Sequence, residues 1–213
     1  MTPRNVIKRV RRRLRLLRPA GPVKVFGIGL PKTGTKTLGE CFERLGFKHR
    51  SFDMDLAAQV KKGELENVLI EAANYDTFED WPWFLIYREL DRRFPGSKFI
   101  LTLRKDVDAY LSSLRRHHDC QGIRNDDFDK PRWWDAVFGI QPNQWDYERS
   151  AGNYERHRRE VLEYFQDRPD DLLVVCWETG DGWDELCRFL NKRHPDKPFP
   201  HENSAPRYGI RTT

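Results

Sequence analysis

The chain has 213 residues, 38% of them hydrophobic, 13% aromatic and 33% charged. A length near 200 fits one compact domain, or one domain with a tail, and the large apolar side chains exclude a disordered composition. No apolar run approaches the roughly 20 residues of a membrane span, and the net charge of +5 is unevenly placed.

Residues 1–22 carry Arg4, Lys8, Arg9, Arg11, Arg12, Arg13, Arg15 and Arg18 and no acid. Without those eight, 30 basic residues face 33 acidic ones, so the body is about −3. Val6, Ile7, Val10, Leu14 and Leu17 fall on one face of a helix, with arginines on the other. Such a helix over residues 1–18 can lie on an anionic membrane surface. The same charges attract nucleic acid, although no nucleic-acid partner is expected. It can equally dock on its own acidic body or fray. The leader contains no serine, unlike a mitochondrial transit peptide, and no apolar stretch of the secretory kind precedes Val23. Pro19-Ala-Gly-Pro22 breaks the helix and reads as a linker.

Val23-Lys-Val-Phe-Gly-Ile-Gly29 reads as a buried strand. Leu30-Pro-Lys-Thr-Gly-Thr-Lys-Thr37 follows, rich in glycine and hydroxyls. Leu38, Cys41, Phe42 and Leu45 then recur at helical spacing and predict a helix to Gly46. A strand, a glycine loop and a helix N-terminus form a phosphate cradle, where backbone amides converge on an anion and a lysine adds mobile charge. The register differs from the nucleotide loop G-x-x-x-x-G-K-S/T. Gly29 and Gly34 have its spacing, but Thr35 stands at the lysine position and Lys36 comes one residue late. Lys32 is the better placed cation.

Phe94-Pro-Gly-Ser97 predicts a turn, Lys98–Leu103 a strand, and Val107, Tyr110, Leu111 and Leu114 the apolar side of a helix. Arg104 is the first residue out of the strand, and Ser112 lies eight positions on. Arginine grips phosphate with a two-pronged fork and needs no metal. Its alternative is a surface ion pair with Asp106 or Asp108. Further on, a helix spans about Tyr147 to Phe165, and Leu172–Cys176 reads as another strand, with Trp177-Glu178-Thr179 at its end.

The cysteines, Cys41, Cys120, Cys176 and Cys187, make no C-x-x-C pair and no zinc spacing. They read as reduced, mostly buried thiols of a cytoplasmic protein.

Pro31-Lys-Thr-Gly-Thr35 resembles the 5′-phosphosulfate loop of sulfotransferases that use 3′-phosphoadenylyl sulfate (PAPS). Arg104 with Ser112 resembles their 3′-phosphate site, in the expected order. Leu45-Gly-Phe47, Phe94–Thr102 and Trp183–Leu190 resemble recurring phrases of the short bacterial-type members. The resemblance covers roughly residues 23–200, between the leader (1–22) and a tail (201–213). It implies a single α/β domain, a P-loop-like parallel sheet flanked by helices on both faces. It implies transfer of a sulfuryl group from PAPS to a hydroxyl or amine by in-line displacement, with no metal. Lys32 would stabilise the leaving oxygen; Thr33, Gly34, Thr35 and Thr37 would hold the 5′-phosphate; Arg104 and Ser112 would hold the 3′-phosphate. Lys36 departs from the usual threonine and either adds a second cation or faces solvent.

The acceptor must lose a proton, so a base is expected near the sulfuryl group. Relatives place it after the second core strand, which here is the stretch Asn74–Pro82. Asp80 is the first candidate and Glu79 the second; His117 and His118 are less well placed. Asp80 is alternatively the N-cap of a helix running Trp83–Phe94. Residues 119–145, with Trp133, Trp134 and Trp145, look like an acceptor-covering segment, and the same rings could serve as core. The acceptor is expected to be a small molecule or glycan, with no obligate protein partner. Arg207 and Arg211 in the tail either close over the donor or belong to a disordered end. The rival readings are an ATP-dependent P-loop kinase and a non-catalytic membrane-associated P-loop protein.

Overall fold

The computed structural model describes residue 21, residues 23–120 and residues 147–200, with side chains undescribed at 118–120. The basic leader, the tryptophan-bearing stretch 121–146 and the tail from His201 lie outside the described residues.

Five strands form one parallel sheet: β1 (Val25–Gly27), β2 (His49–Arg50), β3 (Thr77–Phe78), β4 (Lys98–Thr102) and β5 (Leu172–Val175), ordered β2-β3-β1-β4-β5. Seven α-helices accompany it among the described residues: α1 (Thr35–Arg44), α2 (Met54–Lys62), α3 (Leu65–Ala73), α4 (Tyr87–Arg93), α5 (Val107–Cys120), α6 (Tyr147–Tyr164) and α7 (Trp183–Phe189). None of the described helices is long and apolar enough to cross a membrane.

Strand side chains alternate between faces, and this splits the core in two. Phe26, Phe78, Phe99 and Leu101 pack with residues of α2 to α6. Val25, Ile100 and Val175 pack with Leu38, Cys41 and Phe42 of α1 and Trp183 and Leu186 of α7. Both faces are therefore helix-covered, as a parallel sheet requires. Register sets Phe26 beside Phe78 and Phe99, with ring centroids 4.7 and 5.5 Å away. Truncating a fully buried ring of this kind costs about 3–5 kcal/mol.

The apolar runs place three strands as expected, but the fold corrects two boundaries. The helix expected over Trp83–Phe94 is broken: a 3-10 turn (Trp83–Leu85) precedes α4, and Ile86 between them has φ −121°. Trp83 and Phe84 are both buried, against Phe78 at 4.6 Å and Trp81 at 4.9 Å. One α-helical stripe does not bury consecutive rings this deeply, and the chain tightens to do so. The helix after the glycine loop stops at Arg44 in a Schellman pattern. Gly46 N–H donates to the Glu43 carbonyl at 3.2 Å and Phe47 N–H to Phe42 at 3.1 Å, with the Phe42 and Phe47 rings in edge contact.

β1 has β3 on one side and β4 on the other. Strand order reverses there, and the carboxyl ends of the strands at such a reversal are where the crevice of an open parallel sheet usually takes its ligand.

Candidate active site

The loop after β1 is fastened to the end of β4. Thr33 Oγ1 donates to the Leu30 carbonyl at 2.6 Å and pairs with Thr102 Oγ1 at 2.7 Å. A Cβ on Gly29 would stand 2.0 Å from Thr102 Oγ1, so only glycine permits this approach. Gly34 has φ +98°, and a Cβ there would meet the Trp177 ring at 2.4 Å. Trp177 Nε1 donates to the Gly34 carbonyl at 3.1 Å. The turn delivers the chain into α1, whose first-turn amides have no acceptor within the helix and present a positive dipole end.

Lys32 sits in this turn with φ +78°, a conformation that strains a lysine backbone. Its carbonyl accepts from Arg104 Nε at 2.7 Å. Burial lowers the Lys32 ammonium below the usual lysine range. Lys36, Arg104 and Arg116 lower it further, and Asp80 pulls the other way. The turn thus gathers cations around Lys32, and one carboxylate works against them there.

That acid is Asp80, just past β3, with φ +67° and nearly full burial. Its carboxylate accepts from Thr35 Oγ1 at 3.0 Å and from the Trp81 amide at 2.9 Å. Burial, and then the neighbouring Glu79 carboxylate, push its acidity to about 6; the Thr35 and Trp81 hydrogen bonds and Lys36 oppose the rise. A carboxyl of this acidity is suited to take a proton near neutral pH. The helix-cap alternative is not realised: the carboxylate bonds the adjacent amide and α1, while α4 has Ile86 at its N-cap.

Arg104 leaves β4 and is held on every edge. Besides the Lys32 carbonyl, Nη2 donates to Ser113 Oγ at 3.0 Å and Nη1 to Glu178 Oε1 at 2.7 Å. Tyr154, stacked on Tyr110 at 4.4 Å, brackets the Arg104 backbone: its hydroxyl accepts from the amide at 3.1 Å and donates to the carbonyl at 3.2 Å.

A family profile described as a sulfotransferase domain matches residues 24–208. The chain belongs to the sulfotransferase domain family. A protein similar to it is "Ava biosynthesis cluster protein M" of Aspergillus versicolor, 25% identical, covering 84% of this chain and 80% of the relative.

Within this sulfotransferase domain the sequence-named residues do not all converge. Lys32, Gly34, Thr35 and Asp80 come together with Arg104 around the turn between β1 and α1. Lys36 is exposed on the first turn of α1 yet close enough to act on both Lys32 and Asp80; Thr37 is buried on the same turn. Thr33 belongs to the scaffold, its hydroxyl already engaged with Leu30 and Thr102. Glu79 faces elsewhere: it accepts from Ser51 Oγ and stands 3.7 Å from His49 Nε2. His117 is half-buried on α5; the side chain of His118 lies outside the described residues.

Arg104's hydroxyl partner is Ser113, with Ser112 half-buried beside it. Helical spacing explains this, because Ser113 shares the buried stripe of Tyr110 and Leu114. Neither Asp106 nor Asp108 takes the Arg104 charge; Glu178 does. Glu178 and Trp177 occupy a 3-10 turn (Trp177–Thr179) at the carboxyl end of β5. Their position after an apolar strand run was the available signal, but nothing local names their partners.

Proposed function

We propose that this sulfotransferase domain moves the sulfuryl group of PAPS to a hydroxyl or amine of a small-molecule or glycan acceptor. The observation that carries the reading is the Arg104–Lys32 hydrogen bond of 2.7 Å. It joins two cationic positions, drawn from separate strand ends, into one crevice, as a doubly phosphorylated adenosine would need. The amides of α1 and Lys32 would hold the 5′-phosphosulfate, and Arg104 the 3′-phosphate. The donor supplies an activated sulfuryl group on a phosphate leaving group.

The chemistry then falls to three side chains. Asp80 accepts the acceptor's proton as its oxygen or nitrogen bonds to sulfur. Lys32 neutralises charge arriving on the departing phosphate oxygen as the sulfur–oxygen bond breaks. Thr35, bonded to Asp80 from the first turn of α1, fixes the carboxylate relative to the phosphate loop. Titration calorimetry tests the donor. Adenosine 3′,5′-bisphosphate should bind, and ATP with magnesium should bind far more weakly. Equal binding of the two would favour a kinase, and no binding of either a non-catalytic protein.

A further inference from the structure

Two of the three acceptors on Arg104, the Lys32 carbonyl and the Ser113 hydroxyl, are neutral and fixed by the loop and by α5. The third, Glu178, is an anion. One Glu178 oxygen takes Arg104 Nη1 at 2.7 Å, and the other accepts from the Lys105 amide at 3.1 Å. A carboxylate gripped by a guanidinium edge and a backbone amide reproduces the way two phosphate oxygens are held. The Glu178 side chain is one-third exposed, at 33%, so solvent can receive it when it lets go. Its neighbour Trp177 stays pinned by the Gly34 carbonyl, so release requires only side-chain rotation.

We propose that Glu178 is an internal competitor for Arg104, whose carboxylate holds the seat that a 3′-phosphate must take. This rests on the reading of Arg104 as the 3′-phosphate site. Donor entry exchanges one anion for another, and after transfer the carboxylate reclaims the arginine and helps expel the spent bisphosphate. A nucleotide lacking the 3′-phosphate leaves the pair intact.

Calorimetry and stopped-flow dissociation on the full chain test it, with adenosine 3′,5′-bisphosphate and adenosine 5′-monophosphate as probes. Glu178→Gln keeps the shape and an acceptor oxygen but removes the charge. It should tighten bisphosphate binding severalfold, up to about tenfold, because the exposed ion pair that donor entry must break is gone. The gain should sit in slower dissociation, with monophosphate affinity unchanged. If the glutamine variant does not fold, Glu178→Ser is read the same way. Unchanged or weaker bisphosphate binding would show that Glu178 merely orients Arg104, and would overturn the inference. The donor reading survives that result as long as the parent protein prefers bisphosphate to monophosphate. A parent with no such preference overturns both.

Discussion

The two cationic halves of the crevice balance their charge in opposite ways. On the β4–β5 side, Arg104 is neutralised in place by Glu178, at the rim. On the β1–β3 side, Lys32 is crowded by Lys36, Arg104 and Arg116, and Asp80 is buried beside a second carboxylate. The first half has its charge already paired within the chain, as suits reversible gripping. The second carries electrostatic strain that a reacting anion and a departing proton would relieve, as suits chemistry. Binding and turnover should therefore separate under mutation.

The sharpest break is Asp80→Asn. It should cut turnover by roughly a hundred- to ten-thousand-fold, with bisphosphate affinity retained; near-parental turnover would remove Asp80 from the mechanism. The same variant should be more stable than the parent at pH 8. Folded Asp80 titrates near 6 against 3.8 for an ordinary aspartate. The native state therefore binds more protons between those values, and stability falls as pH rises through 6. Asparagine tolerates the left-handed backbone and never ionises. Melting curves at pH 4 and pH 8 should thus converge at the lower pH and part at the higher.

Next in size is Arg104→Lys, which keeps the charge but loses the fork. Bisphosphate affinity should drop by about tenfold or more, while the rate of the bound complex changes little; a kcat loss exceeding the binding loss would merge the two halves. Smaller effects concern pH alone. The parent's kcat/KM should climb with pH through about 6, as Asp80 ionises. Glu79→Gln removes the like charge beside Asp80 and should move that acidic limb downward. Thr35→Val removes a hydrogen bond that favours the carboxylate and should move it upward. Limbs that stay put in both variants would assign the titration to another group.

The sequence disclosed these halves unevenly. Lys32, the glycine loop and Arg104 were legible because each lies within a few residues of an apolar strand run that announces itself. β2 leaves no signal in the sequence, since His49–Arg50 is two residues long and polar. α2 and α3 are signalled mainly at the ends of α2, where Asp53 caps it through the Leu56 amide at 3.0 Å and Gly63 closes it. Ser113 as the hydrogen-bond partner of Arg104 is readable only from the buried stripe of α5 that it shares with Tyr110 and Leu114. Glu178 and Trp177 reach their partners across 74 and 143 residues of chain. Only the parallel pairing of β4 with β5 and of β4 with β1 brings them there.

The hydroxyl pair between Thr33 and Thr102, at 2.7 Å, ties the β1 loop to the tip of β4, as Arg104 does through the Lys32 carbonyl. The two grips are thus clamped into one rigid jaw. For the proposed donor, a jaw of fixed span would work as a ruler: it would measure the distance between the nucleotide's two charged ends, and one too short or too long would be caught at one end only.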